Sequence, residues 1–189
     1  LKIDFLSAAA HKFHGPKGVG FAYINEKNKA YPLIIGGEQE RGLRGGTEST
    51  HNIHGLKIAL EEAYKNLLDD QKKVKSLKEL FLKRVLKSVE NVEVNGNFNE
   101  SSYTILNLRF PISKEKKDLI NFKLELAGIA CSSGSACQSG SSEPSHVLSE
   151  ILTDEEMEKI SIRFSFSKFN SKNEIIYAAE SLKNILSEC

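Results

Sequence analysis

The sequence predicts an α/β fold with an α+β unit at its C-terminal end, and three observations carry that prediction. Residues 1–50 are rich in glycine and read as short strands and loops. A long helical stripe follows, and residues 92–189 then mix strand-like alternation with helix-start signals.

Taken in order, Ile3–Leu6 is a short strand that runs into Ser7-Ala8-Ala9-Ala10. Val19–Asn25 and Tyr31–Ile35 flank the polar turn Glu26–Lys29 and read as a hairpin. Gly36-Gly37 opens a loop that also contains Gly42, Gly45 and Gly46. From Asn52 to about Ser88, Ile53, Leu56, Leu60, Ala63, Leu67, Val74, Leu77, Phe81 and Val85 recur at three- and four-residue steps, the apolar face of a helix. A mean helix has only ~11–12 residues, so a break near Asp69-Asp70 is expected. Tyr103–Phe110 is a strand, with Thr104, Leu106, Leu108 and Phe110 alternating against Asn107 and Arg109. Lys117–Ala127 is a helix ended by Gly128. Thr153 with Glu156, and Ser171 with Glu174, have capping-box spacing and mark two helix starts. Between them Ile160, Ile162, Phe164 and Phe166 face one way; Ser161, Arg163, Ser165 and Ser167 face the other. The organisation expected is residues 1–50, a connecting helix over 51–90, and a small C-terminal domain over 91–189.

Composition narrows the function classes. The 189 residues suit one domain, or one and a part. With 40% hydrophobic and 27% charged residues, the chain can bury a core and should not be disordered. A net charge of +1 argues against a nucleic-acid or membrane-surface binder. No apolar run approaches the ~20 residues of a membrane span, and no signal peptide is evident. Three cysteines do not make a disulfide framework, so a reducing cytoplasm is the expected compartment. The chain begins at Leu1 without a Met and reads as a piece of something longer.

Four segments could carry chemistry. In Ser7–Gly18, three alanines permit close backbone approach, and Lys12 follows them between His11 and Phe13. A lysine buried at its amine suits imine chemistry with an aldehyde cofactor; an ordinary surface lysine beside a turn is the competing reading. In Gly36–Thr47, glycine N–H groups, Arg41, Arg44 and Thr47 could converge on an anion ahead of a helix N-terminus. That loop equally suits a plain polar turn needing positive φ, and it matches neither a P-loop nor a dinucleotide fingerprint. Ser132–Ser142 carries little beyond glycine, serine and Cys137, so the Cys137 thiol would be accessible; a flexible linker is the alternative. Cys131 follows Gly128-Ile129-Ala130 and reads as a buried strand-end residue. The spacing of Cys131 and Cys137 is poor for zinc, and no metal is expected. Arg163 stands among serines, where a fixed guanidinium captures a carboxylate or simply faces solvent from an edge strand.

Together and in this order, these residues resemble the cysteine desulfurases of the NifS/IscS type, group I, among the class V aminotransferase relatives of fold-type I pyridoxal-phosphate enzymes. Ala10-His11-Lys12 with His14-Gly15-Pro16-Lys17-Gly18 is similar to that family's cofactor-lysine segment. Gly36–Thr47 is similar to its glycine-arginine loop, Ser132–Cys137 with Glu143–Leu148 to its active-cysteine loop, and Ser161–Ser165 to its substrate-arginine strand. The loop bearing Cys137 is long, as in group I. The resemblance covers the whole chain as the C-terminal half of such an enzyme, with residues 1–50 as a remnant of the large domain.

The roles that follow are implied by the resemblance. Lys12 would hold pyridoxal 5'-phosphate in imine linkage and shuttle the substrate α-proton. His11 would lie in the cofactor pocket, and Thr47 would donate to the phosphate of the other copy's cofactor, implying a homodimer. Arg163 would clamp the carboxylate of L-cysteine. Cys137 would attack the substrate sulfur, releasing L-alanine and keeping a persulfide for an iron–sulfur scaffold or a sulfur-carrier protein. Cys137 is also a possible iron–sulfur ligand at such a docked interface. Ala9 stands where the family commonly has a phosphate-binding hydroxyl. The acidic partner of the cofactor's pyridine nitrogen would belong to an N-terminal half, so the piece alone should be inactive. Other class V enzymes (a selenocysteine lyase or an aminotransferase) and a non-catalytic scaffold-docking module are the alternatives.

Overall fold

A computed structural model describes residues 2–132 and 145–188. The chain divides into two compact units, Leu1–Leu67 and Leu68–Cys189.

The first unit opens with an antiparallel pair, β1 (Phe5–Ala9) and β2 (Gly20–Ile24), in the register Phe5↔Ile24 to Ala9↔Gly20. Glycine at position 20 lets the strands close, because a Cβ there would lie 2.4 Å from the Ala8 carbonyl oxygen. The hairpin expected between Val19–Asn25 and Tyr31–Ile35 does not form; β2 pairs backwards with β1 instead. Pro32 explains this, since it has no N–H to give a ladder in the middle of the supposed second strand. The turn itself exists but is tied to β1: Asn25 N–H donates to the Asp4 carbonyl at 2.9 Å, and Asn28 Nδ2 to Asp4 Oδ1 at 3.1 Å. Tyr31, Leu33 and Ile35 are left strongly exposed. Helix α1 (Thr50–Lys65) completes the unit, in which Ala10 and Gly45 alone are buried among the described residues.

The helical stripe does break, at Asn66 rather than at Asp69-Asp70. The Asn66 side-chain amide donates to the Glu62 carbonyl at 2.9 Å, occupying an acceptor at the end of α1. The two aspartates fall in the first turn of α2 (Leu67–Ser88), where negative charge complements the helix dipole.

The second unit is a two-layer α+β structure. Its sheet has the antiparallel order β3-β4-β5, from β3 (Glu93–Val94), β4 (Ile105–Ser113) and β5 (Lys159–Ser165). The β4–β5 register shifts between Phe110 and Ser113, around Pro111, as a bulge at a residue without a donor should. Helices α3 (Lys117–Leu126), α4 (Asp154–Met157) and α5 (Lys172–Ser187) complete it. Gly128 has φ 74°, with Gly128 N–H bonded to Glu125 and Ile129 N–H to Leu124, the paired hydrogen bonds of a Schellman ending. Both capping boxes form, Thr153–Glu156 and Ser171–Glu174. One face of the sheet buries Leu106, Leu108, Phe110, Ile160, Ile162 and Phe164 against the apolar stripes of α2, α3 and α5. Phe81 of α2 is central, 4.7 Å from the Phe164 ring and 5.7 Å from Phe166. No helix among the described residues is long and apolar enough to cross a membrane.

Candidate active site

Lys12 sits on a single 3-10 turn, Ala10–Phe13, that leaves β1. The turn is closed at both ends: Ala10 N–H donates to the Val19 carbonyl at 3.0 Å, and Gly15 N–H to the Ala10 carbonyl at 2.9 Å. His14 ends it in the left-handed region at φ 68°. Ala10 is fully buried beneath, whereas His11 and Lys12 point outward and are exposed. Among the described residues Lys12 Nζ makes no hydrogen bond or ion pair. Burial of the amine, suggested by the alanine run, is not supplied by this unit; what the alanines bury is the turn's own backbone.

The glycine loop folds on itself. Gly45 N–H donates to the Ile34 carbonyl at 3.0 Å, and a Cβ on Gly45 would fall 2.8 Å from Gly36 Cα. Glu40, Arg41 and Gly42 follow one another at positive φ (50°, 58° and 75°), an uncommon run for non-glycine residues. Arg44 turns its guanidinium onto the Gly45 carbonyl at 2.8 Å, and Gln39 accepts from Gly46 N–H at 3.2 Å. Thr47 emerges exposed just ahead of α1. The first turn of α1 holds no acid, and the side chain of Ser49 does not cap it. An exposed hydroxyl beside uncapped helix-terminal amides is a donor set that suits a phosphate.

Arg163 belongs to the second unit. Its register partner on β4 is Asn107, and its other edge pairs with Ser132: Arg163 N–H donates to Ser132 O at 2.6 Å and accepts back at 3.1 Å. The residue is therefore half-buried and held from both sides, not a solvent-facing arginine on an open edge. Its Nε is buried and meets no acceptor among the described residues, which leaves a directed donor unspent. Cys131, one residue before that pairing, packs on the core, and burial pushes its thiol up to about 11. Such a thiol stays protonated and unreactive at neutral pH. Cys137 lies outside the described residues.

The structure thus brings His11 and Lys12 onto one turn and puts Thr47 at the head of the helix in the same unit, while Arg163 stands in the other unit. Two features escaped the sequence reading. The first is the seat of the lysine turn on α1, through Gly55 and Ala59; an isolated glycine inside a helical stripe was its signal. The second is a polar network on the face of the sheet that carries Arg163. Arg109, 4% exposed, donates to Glu93 at 2.6 Å, Glu156 at 2.5 Å and Asn95 Oδ1 at 2.7 Å. Asn95 in turn bridges Asn107 at 2.8 Å and Ser161 at 2.9 Å. Only register could reveal it, because the partners come from four separate segments.

The amine, imidazole, hydroxyl and guanidinium found here fit pyridoxal phosphate and an amino-acid carboxylate chemically. The chain is 38% identical over 186 residues to a protein named cysteine desulfurase IscS from Dictyoglomus turgidum, covering 98% of this chain and 47% of that one. It spans about half the length of the curated relatives it matches. Among solved structures, a NifS-like protein superposes with TM-score 0.85 at 32% identity, over 100% of this chain and 47% of its own. SspA in complex with cysteine superposes with TM-score 0.61 at 30% identity, over 89% and 45%. The family model for class-V aminotransferases matches residues 1–177, and the chain belongs to that family.

Proposed function

We propose that this chain works within a pyridoxal-phosphate-dependent cysteine desulfurase, supplying its attachment lysine, its carboxylate-binding arginine and its sulfur-accepting cysteine. One observation carries the proposal: a cysteine desulfurase matches 98% of the chain, a span holding the Lys12 turn, the glycine loop and the Arg163 strand together. The likeness to the cysteine-bound relative supports L-cysteine as substrate.

Pyridoxal phosphate, when bound, supplies a sink for the electron pair left at the substrate Cα. Lys12 would hold it through the amine, and as a free amine would move the proton at the substrate Cα. His11 stands beside Lys12 as a cofactor-pocket residue. Arg163 orients L-cysteine by its carboxylate, using Nε and the terminal nitrogens as a planar fork. Cys137 thiolate attacks the substrate Sγ, the Cβ–Sγ bond breaks, and the carbon product takes a proton to leave as L-alanine. One sulfur moves and Cys137 becomes a persulfide, with no external oxidant or reductant consumed. Cys131 is the poorer nucleophile, because partial burial pushes its thiol up to about 11. Thr47 serves the phosphate of the cofactor held by a second copy, which makes the enzyme a homodimer. Exposed Tyr31, Leu33 and Ile35 beside the glycine loop support additional polypeptide covering this unit. The persulfide sulfur would pass to an iron–sulfur scaffold or a sulfur carrier.

The test is the full-length protein with L-cysteine, followed by alanine release and intact mass. Alanine should appear with one added sulfur on Cys137; Lys12→Ala should abolish both, Cys137→Ser the persulfide, and Cys131→Ser neither. Unimpaired sulfur removal by Cys137→Ser, or a keto-acid product retaining its sulfur, would overturn the proposal.

A further inference from the structure

Among the described residues the exposed Lys12 side chain has no partner to aim it, so the backbone that carries it sets its direction. That backbone lies directly on α1. A Cβ placed on Gly55 would come 2.6 Å from Pro16 Cγ and 3.2 Å from Cδ. A Cβ on Gly15 would lie 2.9 Å from Ala10 Cβ and 3.2 Å from Ala59 Cβ. Gly55 and Ala59 are one helical turn apart and present one face. Glycine is a poor residue for a helix interior, so Gly55 in mid-α1 needs a packing reason, and the Pro16 ring supplies it. A pyrrolidine ring cannot swing aside as a flexible side chain would.

We propose that Gly55 and Ala59 are positioning residues for Lys12: their small size lets the turn from Ala10 to Pro16 rest on α1 and fixes where the amine is presented. This rests on the reading of Lys12 as the cofactor's attachment point. A methyl at position 55 must push the Pro16 ring about 0.8 Å, from 2.6 Å to the 3.4 Å at which ordinary contact begins. Displacements of that order at a reacting group cost about tenfold to a hundredfold in rate.

The experiment uses the full-length enzyme loaded with pyridoxal phosphate, and reads the pH midpoint of its visible absorbance band together with kcat and KM for L-cysteine. Gly55→Ala should shift the midpoint and lower kcat at least about tenfold, leaving KM within about threefold. Adding Pro16→Ala, which removes the ring atoms the methyl meets, should restore both. Ala59→Gly introduces no crowding, loosens the same seat, and should also move the midpoint, so the test survives if Gly55→Ala fails to fold. The proposal is overturned if these variants keep the parental midpoint and kcat within about twofold, or if Pro16→Ala rescues nothing. Lys12→Ala should abolish the band; its persistence would instead sink the reading of Lys12 itself.

Discussion

Arg163→Lys in the full-length enzyme keeps the positive charge and removes the planar fork, and the structure indicates what that should cost. The backbone at this position is fixed by Asn107 in the β4 register on one side and by Ser132 on the other, so the substitution should leave the strand in place. What disappears is the buried Nε donor, which no described residue satisfies, and the second terminal nitrogen. One hydrogen bond to a charged group is worth about 1.5–3 kcal/mol. At about 1.4 kcal/mol per tenfold, kcat/KM for L-cysteine should fall about 10- to 150-fold. Because the carboxylate is held alike before and during reaction, most of the loss should fall in KM. Steady-state sulfide release in the presence of a thiol reductant measures this for L-cysteine and for cysteamine, which lacks the carboxylate and is the control. A KM within about threefold of the parent, or an equal loss with cysteamine, would refute the assignment.

Two further outcomes concern the scaffold. Arg109→Met should destabilise the protein only modestly, about 1–2 kcal/mol in urea unfolding, because the exposed Glu93 can rehydrate and a buried charge, with its Nε unpartnered among the described residues, is removed. The double change Glu93→Gln with Glu156→Gln should cost more, since it strands the guanidinium; the reverse order would contradict the account. Lys78, 2% exposed, donates to Ser101 Oγ at 2.7 Å and the Ser102 carbonyl at 2.9 Å, and burial holds its ammonium below the ordinary lysine value. The unfolded chain therefore keeps this proton to higher pH, so the Lys78 contribution is complete above 10.5 and is lost as pH falls through the folded value. The stability of wild type relative to Lys78→Met should rise with pH on the alkaline side, and a falling difference would refute this.

Sequence patterns were most legible where the rule is local. Both capping boxes, the glycine end of α3 and the alternation from Ile160 to Phe166 depend on residues within a few positions of each other. The misplaced hairpin shows the limit: Tyr31–Ile35 has strand-like composition, but Pro32 and the hydrogen bonds from Asn25 and Asn28 to Asp4 hand β2 to β1. Length alone calls for a helix break and the two aspartates suggest its place, but the amide of Asn66 ends α1 sooner. Arg109 read as a polar-face residue and proved buried, because its carboxylates arrive from β3 and α4.

By itself, the sequence determined the α+β character of the second unit, the starts of α4 and α5 and the glycine end of α3. Periodicity, caps and short motifs are written in neighbouring residues. The tertiary structure decided which strand pairs with β2, that Ser132 pairs with Arg163, that burial raises the Cys131 thiol, and that the Pro16 ring packs where a Cβ on Gly55 would lie. Each of these is a contact between segments far apart in the chain, and its energy depends on distance and burial that no local pattern encodes.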